Sequence, residues 1–126
     1  MQNNEYRFSF EKLNVWIDSK NLLIKIYKLT DNFPKDEKYV FVPQIRRSSL
    51  SVPSNIAEGS SRVSKKDQAH FYQIAYSSLM ELTNQLLISQ ELKFITVENM
   101  VELRMDIVRV SNQINALRNS RLEERV

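Results

Sequence analysis

The sequence predicts an all-α protein, an antiparallel up-down-up-down four-helix bundle with left-handed packing, and three observations carry that expectation. One glycine and three prolines in 126 residues leave too few turn-formers for a chain of many short strands. Apolar residues recur every three or four positions in four successive stretches, the spacing that gathers them on one helix face. The last stretch holds a seam, Met100, Leu103, Ile107, Val110, Ile114 and Leu117, whose alternating steps of three and four favour shallow left-handed crossings. With short connections and no repeat of solenoid length, residues 1–126 read as one domain, with helices near 11–29, 38–58, 65–92 and 97–118. A chain of this size buries roughly two thirds of its unfolded surface and needs no staple.

In the first helix Leu13, Trp16, Ile17, Leu23, Ile24 and Tyr27 share a face, Ser9 is a candidate N-cap, and Lys25 and Lys28 suit the negative end of the dipole. Trp16 reads as a core anchor. Residues 30–39 form a loop, because Phe33 precedes Pro34 and charges follow. In the second helix Pro43 fits only the first turn or a kink. Ile45, Ser49, Val52 and Ile56 make one stripe, and Gln44, Arg47, Ser51, Asn55 and Glu58 make another. Pro53 predicts a kink or break, since its ring opposes the Ser49 carbonyl, and Gly59 is expected to stop the helix in a left-handed conformation. Ser64 or Ser61 caps the third helix, which is apolar around much of its circumference through Phe71, Ile74, Ala75, Leu79, Leu82, Leu86 and Ile88. Thr96 caps the fourth. There Met100 and Met105 read as core filler, and the tail beyond Asn119 carries charge without an apolar face and is expected to fray. The surplus apolar surface on the third helix and the seam on the fourth predict a cyclic homo-oligomer.

Composition excludes several classes of function. Without cysteine there are no disulfides, thiolate metal sites or cysteine nucleophiles, and the lone His70 makes a histidine metal site or relay unattractive. No metal, cofactor, small-molecule substrate or membrane partner is expected. The polar start of the chain and the absence of a long uncharged apolar run point to a cytoplasmic protein. Glu58, Asp67 and Glu81 with His70 are scattered acids beside one histidine. Neither a phosphate-cradling loop nor a nucleophile motif accompanies them, so no enzyme is expected.

Charge is unevenly spread. The net charge is +3, and all of it lies between Pro43 and His70, where Arg46, Arg47, Arg62, Lys65 and Lys66 outnumber Glu58 and Asp67. Such a cluster in an otherwise neutral chain is an electrostatic footprint for RNA or DNA phosphates. Two roles compete for it. As a structural polar network, Arg46 and Arg47 would reach Glu58 and Glu81 with Asn55 beside them, fixing helix register. As a nucleic-acid surface, Arg46, Arg47, Arg62, Lys65 and Lys66 would be repeated around an oligomer, with contact to phosphates that salt weakens steeply. Phe71, Tyr72 and Tyr76 could stack bases but read better as core.

Four phrases carry a resemblance: FEKLNVWIDS from Phe10, IYKLTDNFP from Ile26, QIRRSSLSVPSNIAEGSSR from Gln44 and HFYQIAYSSLMELTNQL from His70. In order and spacing the chain resembles the four-helix bundle family encoded within intervening sequences of bacterial large-subunit ribosomal RNA genes. Ser48 and Ser49 stand where alanine is common in that family. The resemblance implies an antiparallel bundle assembling into a ring, typically a pentamer. The chain is also similar to the accessory proteins of diversity-generating retroelements, strongly basic pentamers that bind nucleic acid and assist a reverse transcriptase. Together these imply a non-catalytic, ring-forming scaffold or accessory factor with a weakly basic nucleic-acid surface. The alternative is a purely structural oligomer that binds no nucleic acid.

Overall fold

Two of the four helices start where a side-chain hydroxyl can satisfy a free backbone amide. In the computed structural model, which describes residues 6–123, Ser64 Oγ accepts the Asp67 amide at 3.0 Å and Thr96 Oγ1 accepts the Asn99 amide at 3.0 Å. These caps open the third and fourth helices. The helices are α1 (Asn14–Thr30), α2 (Phe41–Ser60), α3 (Lys65–Glu91) and α4 (Val97–Leu122), and no strand occurs among the described residues.

The boundaries differ from expectation for local reasons. Ser9 does not cap α1. It begins a 3₁₀ turn, Ser9–Lys12, held by the Glu11 carboxylate accepting the Phe8 amide at 2.8 Å, and the extended Leu13 separates that turn from the helix. In α2, Pro43 falls in the first turn, where no amide is required. The helix runs on through Pro53 without a break. Gly59 does not stop it in a left-handed conformation, because no described glycine has positive φ. The left-handed residue is Lys93, at φ 67°, just past α3. There the Phe94 amide bonds the Ser89 carbonyl at 2.8 Å and the Lys93 amide bonds the Gln90 carbonyl at 2.9 Å, the paired closure of a helix end. Helix α4 passes the expected end at 118 and reaches Leu122, while the last residues of the tail expected to fray, 124–126, lie outside the described residues.

The helices surround one core in the cyclic order α1, α2, α3, α4, each packed on its two neighbours. Paired residues run in opposite sequence directions. Ser48 meets Gln85 and Ser51 meets Ser78 across α2 and α3, while Lys25 meets Glu102 and Asp18 meets Gln113 across α1 and α4. Ile26, Ile45, Val52, Ile56, Leu79, Leu82, Leu86, Val110 and Ile114 are buried at the centre. The α4 seam is thus consumed inside the bundle. Helix α3 likewise buries Ala75, Leu79, Leu82 and Leu86 against its neighbours while Ile88 stays exposed, and Tyr72 is buried with its hydroxyl 3.4 Å from Ser60 Oγ.

The apolar surface left over lies elsewhere. Val97, Val101, Met105 and Val108 are exposed on the outer side of α4, and Tyr27, Tyr39 and Leu50 are exposed beside α1 and α2. Met105 is therefore a surface residue and not the core filler expected. Trp16 is only half-buried, with the Phe10 ring 5.2 Å away and the Lys20 ammonium 5.2 Å from its ring centre.

Candidate functional site

The residues of Gln44–Arg62 and the loop that follows sort into three groups by what they touch. Arg46 faces α1. Its Nε donates to Thr30 Oγ1 at 2.9 Å, and an Nη donates to the Tyr27 carbonyl at 3.1 Å and to the Asp31 carboxylate at 2.9 Å. The guanidinium also lies 4.3 Å from the centre of the Tyr27 ring. All these partners sit at the C-terminal end of α1, where the last carbonyls lack amides and the dipole is negative. Arg46 caps α1 with a fork of donors.

That placement corrects the expected polar network. Arg46 pairs with Asp31 and not with Glu58 or Glu81. Arg47 is exposed and lines a surface cleft of about 230 Å³ together with Gln44, Ser48, Ser51 and Glu81, yet no ion pair joins Arg47 to Glu81. Glu58 instead binds Arg62 one turn along, at 3.0 Å. Of the expected members only Asn55 joins a hydrogen-bond network between α2 and α3. Its amide donates to the Ser51 carbonyl at 2.8 Å and to Ser51 Oγ at 3.0 Å, and the Ser51 and Ser78 hydroxyls share a hydrogen bond of 2.7 Å. Ser48 Oγ lies 2.9 Å from the Gln85 side chain. The α2–α3 seam is therefore neutral, made of hydroxyls and amides. Its signal in the sequence is the polar Ser78 and Gln85, seven residues apart within an otherwise apolar stripe.

The second group is a close approach. A Cβ on Gly59 would stand 2.7 Å from Tyr72 Cε1 and 3.0 Å from Phe71 Cβ. The glycine lets α2 lie against the aromatic start of α3, and backbone freedom has no part in it.

The third group is basic. The Arg62 guanidinium packs 4.5 Å from the Phe71 ring centre while it bonds Glu58, and the Gln68 amide donates to the Arg62 carbonyl at 2.9 Å. Lys65 and Lys66 occupy the first turn of α3, exposed and without a carboxylate partner among the described residues. Two cations at the positive end of a helix dipole do not stabilise the helix; Asp67 is the residue there that does. Sequence reading did not bring in the other cations at this end of the bundle. Arg118, near the end of α4, donates to the Gln73 side chain, which places the C-terminal turns of α4, with Arg121, beside the first turns of α3. Arg7 and Lys12 precede α1, whose N-terminal half packs along the same part of α4 through Asp18 and Gln113.

His70 is exposed beside Phe71, and Glu58, Asp67 and Glu81 do not converge on it: the first holds Arg62, the second opens α3 and the third lines the α2–α3 cleft. No group of three or more histidine, aspartate or glutamate side chains suited to a metal ion occurs among the described residues. No helix among them is long and apolar enough to cross a membrane.

A protein-family model described as 23S rRNA-intervening sequence protein matches residues 11–116. Among solved structures, a protein of unknown function from the S23 ribosomal protein family of Bacteroides thetaiotaomicron superposes with a TM-score of 0.74 at 24% identity, over 82% of this chain and 96% of that one. A comparison with curated proteins finds no match.

Proposed function

We propose, for a chain that belongs to the 23S rRNA-intervening sequence protein family, a non-catalytic role: a helical bundle that assembles with copies of itself into a ring, a pentamer by family resemblance, and offers nucleic acid a basic end. The observation that carries the nucleic-acid part is the pair Lys65 and Lys66 with Arg62, exposed at one end of the bundle where helix stability gives no reason for the two lysines. Arg7, Lys12, Arg118 and Arg121 extend that end. Arg46 is set aside for the α1 cap, and Arg47 lies away from the basic end. A single end with a few cations binds phosphates weakly, and repetition around a ring raises the effective affinity. Cytoplasmic location accords with this reading.

The test is retardation of duplex DNA and structured RNA across a salt series, for the wild-type chain and for the triple variant Arg62→Gln, Lys65→Gln, Lys66→Gln. The expected outcome is binding at low salt that the variant weakens about tenfold or more, with helix content and assembly mass unchanged. On duplex DNA the variant's salt slope should fall by roughly 0.9 for each phosphate it no longer neutralises. No retardation of either nucleic acid at low salt removes the nucleic-acid part. It would leave the second reading, a structural oligomer only, which is favoured by the neutralisation of Arg62 by Glu58 and of Arg46 by Asp31.

A further inference from the structure

The segment ahead of α1 carries an aromatic ring at every second residue, Tyr6, Phe8 and Phe10. Its backbone is extended at Phe8, with φ −70° and ψ 152°, and in extended chain residues two apart point to the same side. The rings therefore form a row. Tyr6 meets Phe8 edge-on with centres 5.0 Å apart, Phe8 is parallel to Phe10 within 9° at 6.2 Å, and Phe10 meets Trp16 at 5.2 Å. The row starts at the half-buried Trp16 and ends in water, where Phe8 is 56% and Tyr6 76% exposed. Ring area that stays wet contributes no burial, so packing accounts for Phe10 and Trp16 but not for Tyr6 and Phe8.

This row lies at the basic end of the bundle. The Ser9–Lys12 turn packs on α2 as well as on α1. Arg46 fixes the start of α2 at the end of α1, so the start of α1 lies beside the end of α2, which leads into Arg62, Lys65 and Lys66. Arg7, Lys12, Lys65 and Lys66 are exposed and pair with no acid among the described residues. Three acids here are engaged: Glu11 accepts the Phe8 amide at 2.8 Å, Glu58 holds Arg62 at 3.0 Å and Asp18 accepts the Gln113 amide at 2.9 Å. Asp67, in the first turn of α3, and Glu123, just past α4, are outnumbered by the four unpaired cations. The half-buried rings at this end already carry cations, with Arg62 4.5 Å from the Phe71 centre, Lys20 5.2 Å from Trp16 and Arg118 5.9 Å from Tyr76. No cation among the described residues covers Tyr6 or Phe8.

We propose that the basic end takes single-stranded nucleic acid, a base stacking on Tyr6 or Phe8 while Arg7, Lys12, Lys65 and Lys66 hold the phosphates. This rests on the nucleic-acid reading above and specifies the form of the ligand. Cations alone meet phosphates of any nucleic acid. An aromatic ring needs the face of a base, which neighbouring pairs cover in a duplex and an unpaired base leaves open. Free rings and unpaired cations at one end of the bundle answer both parts of an unpaired nucleotide.

The test compares a DNA strand without self-complementarity, the RNA strand of the same sequence and the duplex that the DNA strand forms with its complement, each titrated at several salt concentrations. The wild-type chain is expected to bind one or both strands more tightly than the duplex, and the tighter strand identifies the sugar. The double variant Tyr6→Leu, Phe8→Leu keeps the apolar bulk and removes the ring faces. It should weaken strand binding about tenfold or more at unchanged salt slope, because stacking releases no counterions, and leave duplex binding unaltered. Ultraviolet crosslinking of the bound strand to the wild-type chain should fall on residues 6–10, a readout independent of how the variant folds. Equal or tighter binding of the duplex, undiminished strand binding by the variant, or crosslinks confined to other residues each overturns the proposal. If neither strand nor duplex is retained at low salt, the nucleic-acid reading itself fails, an outcome distinct from duplex binding without strand preference.

Discussion

Adjacent serines on α2 meet opposite environments. Ser48 Oγ lies 3.0 Å from the Gln44 carbonyl and 2.9 Å from Gln85, so its hydroxyl partners a polar side chain that is otherwise 6% exposed. Ser49 Oγ is buried with no partner. A buried hydroxyl without a hydrogen bond costs about 1–3 kcal/mol relative to one that has it. Ser49→Ala is therefore expected to raise stability by about 1 kcal/mol, and Ser48→Ala to lower it by about 1–2 kcal/mol by leaving Gln85 Oε1 without its donor. Urea titrations of the two variants should move the midpoint in opposite directions at constant slope. The sequence contains both serines side by side, but only the packing of α3 on α2 determines which one finds an amide.

At the scale of the element, α2 is defined as much by what it lacks as by its stripe. Alanine at position 59 would gain about 1 kcal/mol of helix propensity over glycine. Its Cβ would meet Tyr72 Cε1 at 2.7 Å, and Tyr72 is fully buried and cannot swing away. Overpacking of this kind costs about 1–3 kcal/mol, so Gly59→Ala should lower the melting temperature despite the better propensity. The opposite sign is expected at the end of α3. Lys93 holds φ 67°, where a side chain costs about 1 kcal/mol and glycine costs nothing, so Lys93→Gly should stabilise by about that amount in thermal melts. Glycine stands at 59 for want of space, and a lysine occupies the left-handed position. A sequence rule that assigns glycine to the left-handed cap reverses the two.

At the scale of the molecule, α1 and α4 are tied by Lys25, whose ammonium lies 2.7 Å from Asp106 and 3.0 Å from Glu102. The Asp106 hydrogen bond, then that of Glu102, raises the Lys25 pKa above 10.5. A cation whose folded pKa is raised contributes its stability in full below the unfolded value and loses it as pH rises through the folded one. Because the ammonium is partly exposed, Lys25→Met should cost no more than about 1 kcal/mol at neutral pH, and the gap between variant and wild type should close as pH rises through the raised folded pKa. Denaturation at neutral pH and again above the folded pKa checks both parts. The four-helix architecture and the inward faces of α2 and α4 follow from the sequence by itself, because apolar periodicity at 3.6 residues per turn is a local property. Two of the helix caps follow for the same reason, since Ser64 and Thr96 act within their own turns. Tertiary structure alone decided that Arg46 reaches back to cap α1, that the serines of α2 meet Ser78 and Gln85, and that Val101 and Met105 face outward. Those outcomes depend on which faces of separate helices are brought together, and a one-dimensional pattern carries each helix's own face but not its neighbour's.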